Sequence, residues 1–179
     1  MVTGATSLKV DPDELVVTCP FSVIVDTREQ APFRFTGIDD SETGKPLAIS
    51  LVTDVALTSG DYSISGMESL VSIERKSPGD FRGSITADRD RFEREMERLA
   101  KLEYAAVVIE ADWKELLEPA QHSRVSPTAI ARTIQSWSIR YGVHFFPMPG
   151  RRFAEVWTFR LLSMFWRQKQ AALKTNGIE

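Results

Sequence analysis

An amphipathic stripe that runs almost directly into an unbroken apolar pentapeptide constrains this chain more than any other feature. Over residues 88–101 the apolar side chains Phe92, Met96 and Leu99 recur at helical spacing, with Leu102 next in the series and charges elsewhere. Residues 105–109 (AAVVI) follow. An apolar run without polar alternation reads as a strand buried on both faces, and after a helix it is most simply parallel to its neighbour. With residues 70–76 (LVSIERK) before the helix, the predicted unit is β-α-β.

The rest of the chain extends that unit into an α/β fold with a mixed central sheet flanked by helices. Residues 21–25 (FSVIV) read as a buried strand ending in the charged cluster Asp26-Thr27-Arg28-Glu29. Residues 36–46 (TGIDDSETGKP) read as a mobile loop. Strands are predicted over 47–52 and 62–65, with a tight turn at 66–68 before 70–76. Ser126-Pro127 is a helix start with Ser as N-cap, and Gly142 a stop. A short strand over 143–146 and a long helix over 151–173 complete the series. Residues 1–20 carry little pattern and are expected to form a flexible arm before a single domain over 21–179.

A chain of 179 residues buries roughly 70% of its unfolded surface, so it needs neither disulfide nor structural metal. Its one cysteine, Cys19, permits no internal bridge and has no base nearby in sequence. No stretch approaches the ~18 to 20 apolar residues of a membrane span, and no leader pattern opens the chain, which predicts a cytoplasmic protein. His122 and His144 lack metal-ligand spacing and read as structural or exposed.

The net charge of −3 argues at first against a polyanionic partner, but it is an average. Residues 1–123 hold 13 Lys and Arg against 23 Asp and Glu, whereas 124–174 hold nine cations against the single acid Glu155. Such asymmetry can mark a side that faces nucleic acid, or two differently solvated faces.

Alternation along 70–76 puts Glu74 and Lys76 on one face and Ile73 and Arg75 on the other. A charged pair on an apolar strand is costly to bury without a purpose. Asp61 precedes Glu74 on the neighbouring strand, where antiparallel pairing would bring the carboxylates together. Two carboxylates suit a hard cation such as Mg²⁺, and a nearby lysine can orient water and offset charge on a phosphate. Asp26 and Glu29, at the end of the first strand, could join them with Arg28, Arg75 and Lys76. Asp80 reads as a first-turn acid of the next helical segment.

Taken in order, these residues resemble the XPF-type structure-specific endonucleases, in a short stand-alone form. Their signature G-D-Xn-E-R-K-X3-D reads here as Gly60-Asp61, Glu74-Arg75-Lys76 and Asp80. The V-D-x-R-E element is Val25 to Glu29, and a further match runs from Asp90-Arg91-Phe92 through Glu95 to Arg98-Leu99. The resemblance is close over 21–118. It implies a restriction-endonuclease-like core and a Mg²⁺- or Mn²⁺-dependent endonuclease that cleaves branched, flap or junction DNA in repair, recombination or phage DNA processing. It further implies Asp61, Glu74 and Asp26 as metal ligands with Glu29 completing the acidic cluster, Lys76 beside the attacking water, and Arg28, Arg75 and Asp80 as supporting residues. It supports Arg91 and Arg98 on DNA phosphates, while Arg94 is expected on a merely solvated helix face. A helix-hairpin-helix domain, present in larger members, is not expected here.

In the last helix Phe153, Trp157, Leu161 and Met164 share one side, and Phe159, Leu162 and Trp166 roughly the opposite one. One face is left to seek a partner. With the resemblance, this predicts a homodimer through the last two helices. The rival reading is a catalytically silent DNA-binding or scaffolding subunit, disfavoured because none of the acids is missing.

Overall fold

The structure is a computed structural model and describes residues 15–118 and 125–175. Its axis is β1 (Val17–Asp26), whose Val23, Ile24 and Val25 are buried because both sheet faces are covered. β1 begins at Val17 rather than Phe21. Val17 and Thr18, expected in the arm, pair with Leu47 and Ala48, and Pro20, which has no N–H to donate, falls in the register shift between Thr18 and Ser22. Cys19 is therefore a buried strand residue. Residues 1–14 and His122 lie outside the described residues.

Six strands form one mixed sheet in the order β2-β1-β3-β4-β5-β6, with β2 (Leu47–Val55), β3 (Tyr62–Ile64), β4 (Val71–Lys76), β5 (Tyr104–Ile109) and β6 (His144–Pro147). β3 runs antiparallel to β1 and β4, while β4, β5 and β6 run parallel, with Glu74 opposite Val107 and Lys76 opposite Ile109. The β4-to-β5 crossover contains two helices, α1 (Pro78–Ser84) and α2 (Arg89–Leu99), the second burying Phe92, Met96 and Leu99 as the stripe predicts. A short α3 (Trp113–Leu117) follows β5 and has no counterpart in the sequence reading. In α4 (Pro127–Tyr141) the Ser126 side chain caps the start, and Gly142, at φ 67°, ends the helix in the left-handed conformation.

One sheet face packs on α1, α2 and α4; the other packs on α5 (Arg151–Thr175) and the aromatic residues Phe33 and Phe35. These two aromatics belong to the β1-to-β2 crossover, which makes a parallel connection without a helix. The segment expected to be mobile is fastened to α5 instead. Arg152 donates to the carbonyls of Thr36 and Gly37, Arg160 to that of Asp39, and Arg167 pairs with Asp40 and Glu42. The Glu155 carboxylate accepts the N–H groups of Arg34 and Phe35.

That arrangement also accounts for the charge asymmetry. Arg151, Arg152, Arg160, Arg167 and Lys169, five of the nine cations after residue 123, bind the chain's own carbonyls and carboxylates. α5 buries Ala154, Thr158, Phe159, Leu162 and Phe165, while Phe153, Trp157 and Met164 are 62%, 40% and 69% exposed. Leu161, grouped in sequence with Phe153, Trp157 and Met164, packs partly against the core. His144 is exposed on the edge strand β6 and stacks on Tyr104. Among the described residues no helix is long and apolar enough to cross a membrane.

Candidate active site

The antiparallel β3–β4 pair sets the geometry. Gly60 turns the chain into β3 at φ 76°, with Ser72 Oγ only 2.1 Å from where a Cβ would sit, so glycine alone fits before Asp61. The Asp61 N–H donates to the Ile73 carbonyl, its own carbonyl accepts from Asp26 N–H at 2.8 Å, and Arg75 N–H donates to Asp61 Oδ2 at 2.7 Å. Asp61 therefore sits beside Glu74 at the strand ends, as the spacing predicts.

These residues line a cavity of about 390 Å³ together with Lys76, Phe92 and the α2 side chains Arg91, Glu95 and Arg98. The last three stand four and three residues apart and so share one helix face. Glu74 is buried, and its Oε1 lies 2.6 Å from Lys76 Nζ, which also sits 4.9 Å above the Phe92 ring. Burial first, then the charge of Glu74, pushes the Asp61 carboxyl up to about 8, against the pull of the Arg75 N–H. Burial likewise raises Glu74, with Lys76 pulling the other way. Burial works against the Lys76 ammonium, but the charge and hydrogen bond of Glu74 outweigh it, so Lys76 holds its proton more tightly than usual.

Asp26 stands next to this pair but is differently occupied. Its Oδ1 accepts Arg28 N–H and Nε at 2.8 and 2.7 Å, and its Oδ2 accepts Arg28 Nη2 and Leu57 N–H at 2.9 and 2.6 Å. Burial alone would raise its pKa; the hydrogen bonds from Arg28 and Leu57 hold it below the usual carboxylate range instead.

Three expected site residues do not line the cavity. Glu29 grips Arg75 on the opposite sheet face, at 2.9 and 3.2 Å, and Arg75 also reaches Glu110 at 3.1 Å. Alternation along β4 makes this unavoidable, since Arg75 must point away from Glu74. Asp80 forms a reciprocal cap at the start of α1, with Ser77 Oγ donating to its carboxylate and accepting its N–H. Arg91 lies at the cavity rim, 74% exposed, paired loosely with Asp88. Arg94 is exposed on the solvent side.

Of the charged residues that line the cavity, Glu95 had no role assigned from sequence. Glu95 accepts Ser59 Oγ at 2.7 Å and Gly60 N–H at 3.0 Å and pairs with Arg98, and these partners outweigh burial to hold its carboxyl below the usual range. Its position one turn from both Arg91 and Arg98 was the available signal.

The donor chemistry bears on a metal. Asp61 accepts one backbone N–H and Glu74 one ammonium, so both carboxylates retain acceptor capacity while repelling each other. Among the described residues no three His, Cys, Asp or Glu side chains are grouped to hold an ion. Two such carboxylates suit a hydrated divalent ion that keeps most of its water, not a closed protein cage.

The ERCC4 domain model matches residues 25–161, most of the chain, and the chain belongs to the ERCC4 domain family. Two solved structures share its fold. One is XPF from Aeropyrum pernix, with a TM-score of 0.51 and 19% identity over 70% of this chain and 52% of that one. The other is XPF from Aeropyrum pernix in complex with DNA, with a TM-score of 0.57 and 18% identity over 83% and 66%. The chain thus spans about half to two thirds of those relatives, and the shared fold is the restriction-endonuclease-like one. No curated protein matches it.

Proposed function

We propose that this chain is a divalent-metal-dependent DNA endonuclease that hydrolyses phosphodiesters at branched, flap or junction structures during repair, recombination or phage DNA processing. The observation that carries the reading is the pair of half-buried Asp61 and buried Glu74 with Lys76 in one cavity, rimmed by Arg28, Arg91 and Arg98. Family membership and a fold neighbour in complex with DNA support it.

Asp61 and Glu74 would hold Mg²⁺ or Mn²⁺, and Asp26 would join them only after release by Arg28, whose side chain is 66% exposed. When bound, the ion supplies charge neutralisation at the phosphate and acidifies water. Lys76, held by Glu74, donates hydrogen bonds to the attacking water or a phosphate oxygen and offsets developing charge. Arg91 and Arg98 position the DNA through its phosphates.

The test is a cleavage panel of single-stranded, duplex, flap, fork and four-way DNA with Mg²⁺ or Mn²⁺. Wild type is expected to cut branched forms, and Asp61→Asn or Glu74→Gln to lose on the order of 10³-fold in kcat with DNA binding retained. Unchanged cleavage by either variant overturns the reading.

The exposed Phe153, Trp157 and Met164 on α5, with Ile139 at 87% exposure on α4, support a homodimer through these helices. Sedimentation at micromolar concentration is expected to give a dimer that Trp157→Asp dissociates; a monodisperse wild-type monomer would exclude it.

A further inference from the structure

Behind the cavity, on the α5 face of the sheet, four charges alternate in a row. Glu29 grips Arg75; Glu110 Oε1 accepts both Arg75 Nη1 at 3.1 Å and Arg151 Nη1 at 2.7 Å. The Arg75 and Glu110 side chains are each only 11% exposed. Arg151 then donates through Nη2 to the carbonyls of Ala31 and Pro32 and lies 4.9 Å from the Phe33 ring.

The two middle members of this row reach the cavity through the main chain. The Arg75 N–H is the donor to Asp61 Oδ2, and the Glu110 N–H donates to the Lys76 carbonyl at 2.9 Å. Phe33, held under Arg151, donates its N–H to the Tyr62 hydroxyl at 2.8 Å and stacks on the Tyr62 ring, adjacent to Asp61. A buried ion network contributes little net stability over an apolar filling of the same space. Its specific consequence here is geometric: it fixes the backbone of the strand bearing Glu74 and Lys76 from the sheet face opposite the cavity.

We propose that Glu110 and Arg151 are positioning residues, which act through Arg75 to hold the Asp61 carboxylate opposite Glu74. Arg151 opens α5, so the row also ties the site to the helix with the exposed apolar face. The proposal rests on the nuclease reading for its kinetic consequence and on the hydrogen bonds alone for its structural one.

The test uses Glu110→Gln, Arg151→Ala and Arg151→Lys in the full chain, with two readouts. In metal-free protein, amide hydrogen exchange by NMR is expected to rise about tenfold or more at Arg75 in the first two variants and to stay unchanged at Val107 on the adjacent strand. With branched DNA, kcat is expected to fall about 10- to 100-fold with KM within twofold, as for displaced supports of a reacting group. Arg151→Lys, which keeps a charge near Glu110 but cannot reach both it and the two carbonyls, is expected between wild type and Arg151→Ala. Arg75 exchange within twofold of wild type in both Glu110→Gln and Arg151→Ala overturns the proposal, as does a loss confined to melting temperature or KM. If wild type cleaves no DNA, the nuclease reading fails, and the exchange data still decide the brace.

Discussion

Two pairs of carboxylates stand within a few residues of the same strand ends and live in opposite conditions. Asp26 and Glu29 each rest on a guanidinium with their oxygens largely filled. Asp61 and Glu74 share one backbone N–H and one ammonium between them and are pushed toward protonation. A saturated carboxylate behaves as a structural brace, whereas an under-partnered pair keeps acceptor capacity that a cation would fill. Proximity in sequence to a charged motif does not separate these roles; donor supply does.

The strongest way to break the contrast is to empty the saturated side. Arg75→Ala leaves Glu29 and Glu110 buried without that partner, and is expected to cost about 3–5 kcal/mol in urea unfolding. A loss below about 1 kcal/mol would show that the guanidinium is not what holds this side together.

A second test reads the under-partnered side by its pH dependence in EDTA. The folded-state pKa of Asp61 lies above its unfolded value, so its contribution favours folding below about pH 4 and is lost as pH rises toward 8. Asp61→Asn is therefore expected to stabilise the metal-free protein at pH 8, on the order of 2 kcal/mol after solvent screening, and to give little or no gain at pH 4. Melting curves at the two pH values check the sign; a gain larger at pH 4 than at pH 8 refutes it.

The smallest effect sharpens the division between cavity floor and rim. Arg91→Ala is expected to weaken DNA binding by about 1 kcal/mol and to lower the salt slope of log Kd by about one, without changing stability. An unchanged slope would remove Arg91 from the phosphate contacts.

Much of this was legible in sequence because it depends on local periodicity. The stripe of Phe92, Met96 and Leu99 and the run at 105–109 give α2 and a buried parallel β5. Two-residue alternation put Glu74 and Lys76 together and Arg75 on the far face. The N-cap at Ser126 and the stop at Gly142 follow from turn chemistry. Less legible was the start of β1, since residues 17–20 include a proline that only a register shift accommodates. Asp80 fits the motif by spacing, yet the same spacing from Ser77 makes it a helix cap.

Long-range partners were beyond reach. The basic residues after 123 suggested a nucleic-acid face, but on α5 they are largely consumed by the 29–42 segment and by Glu103 and Glu110, 41 residues away in the chain at the least.

The sequence by itself determined the strands and helices of the β-α-β unit, the pairing of Asp61 with Glu74, and the face each residue of β4 presents, because alternation and helical period act over a few residues. Only the tertiary structure decided which charges are free. Whether a carboxylate braces the fold or keeps its acceptor capacity depends on donors delivered by Arg28, Arg75 and Leu57, and whether an arginine meets solvent or a carbonyl depends on how α5 lies across the β1-to-β2 crossover.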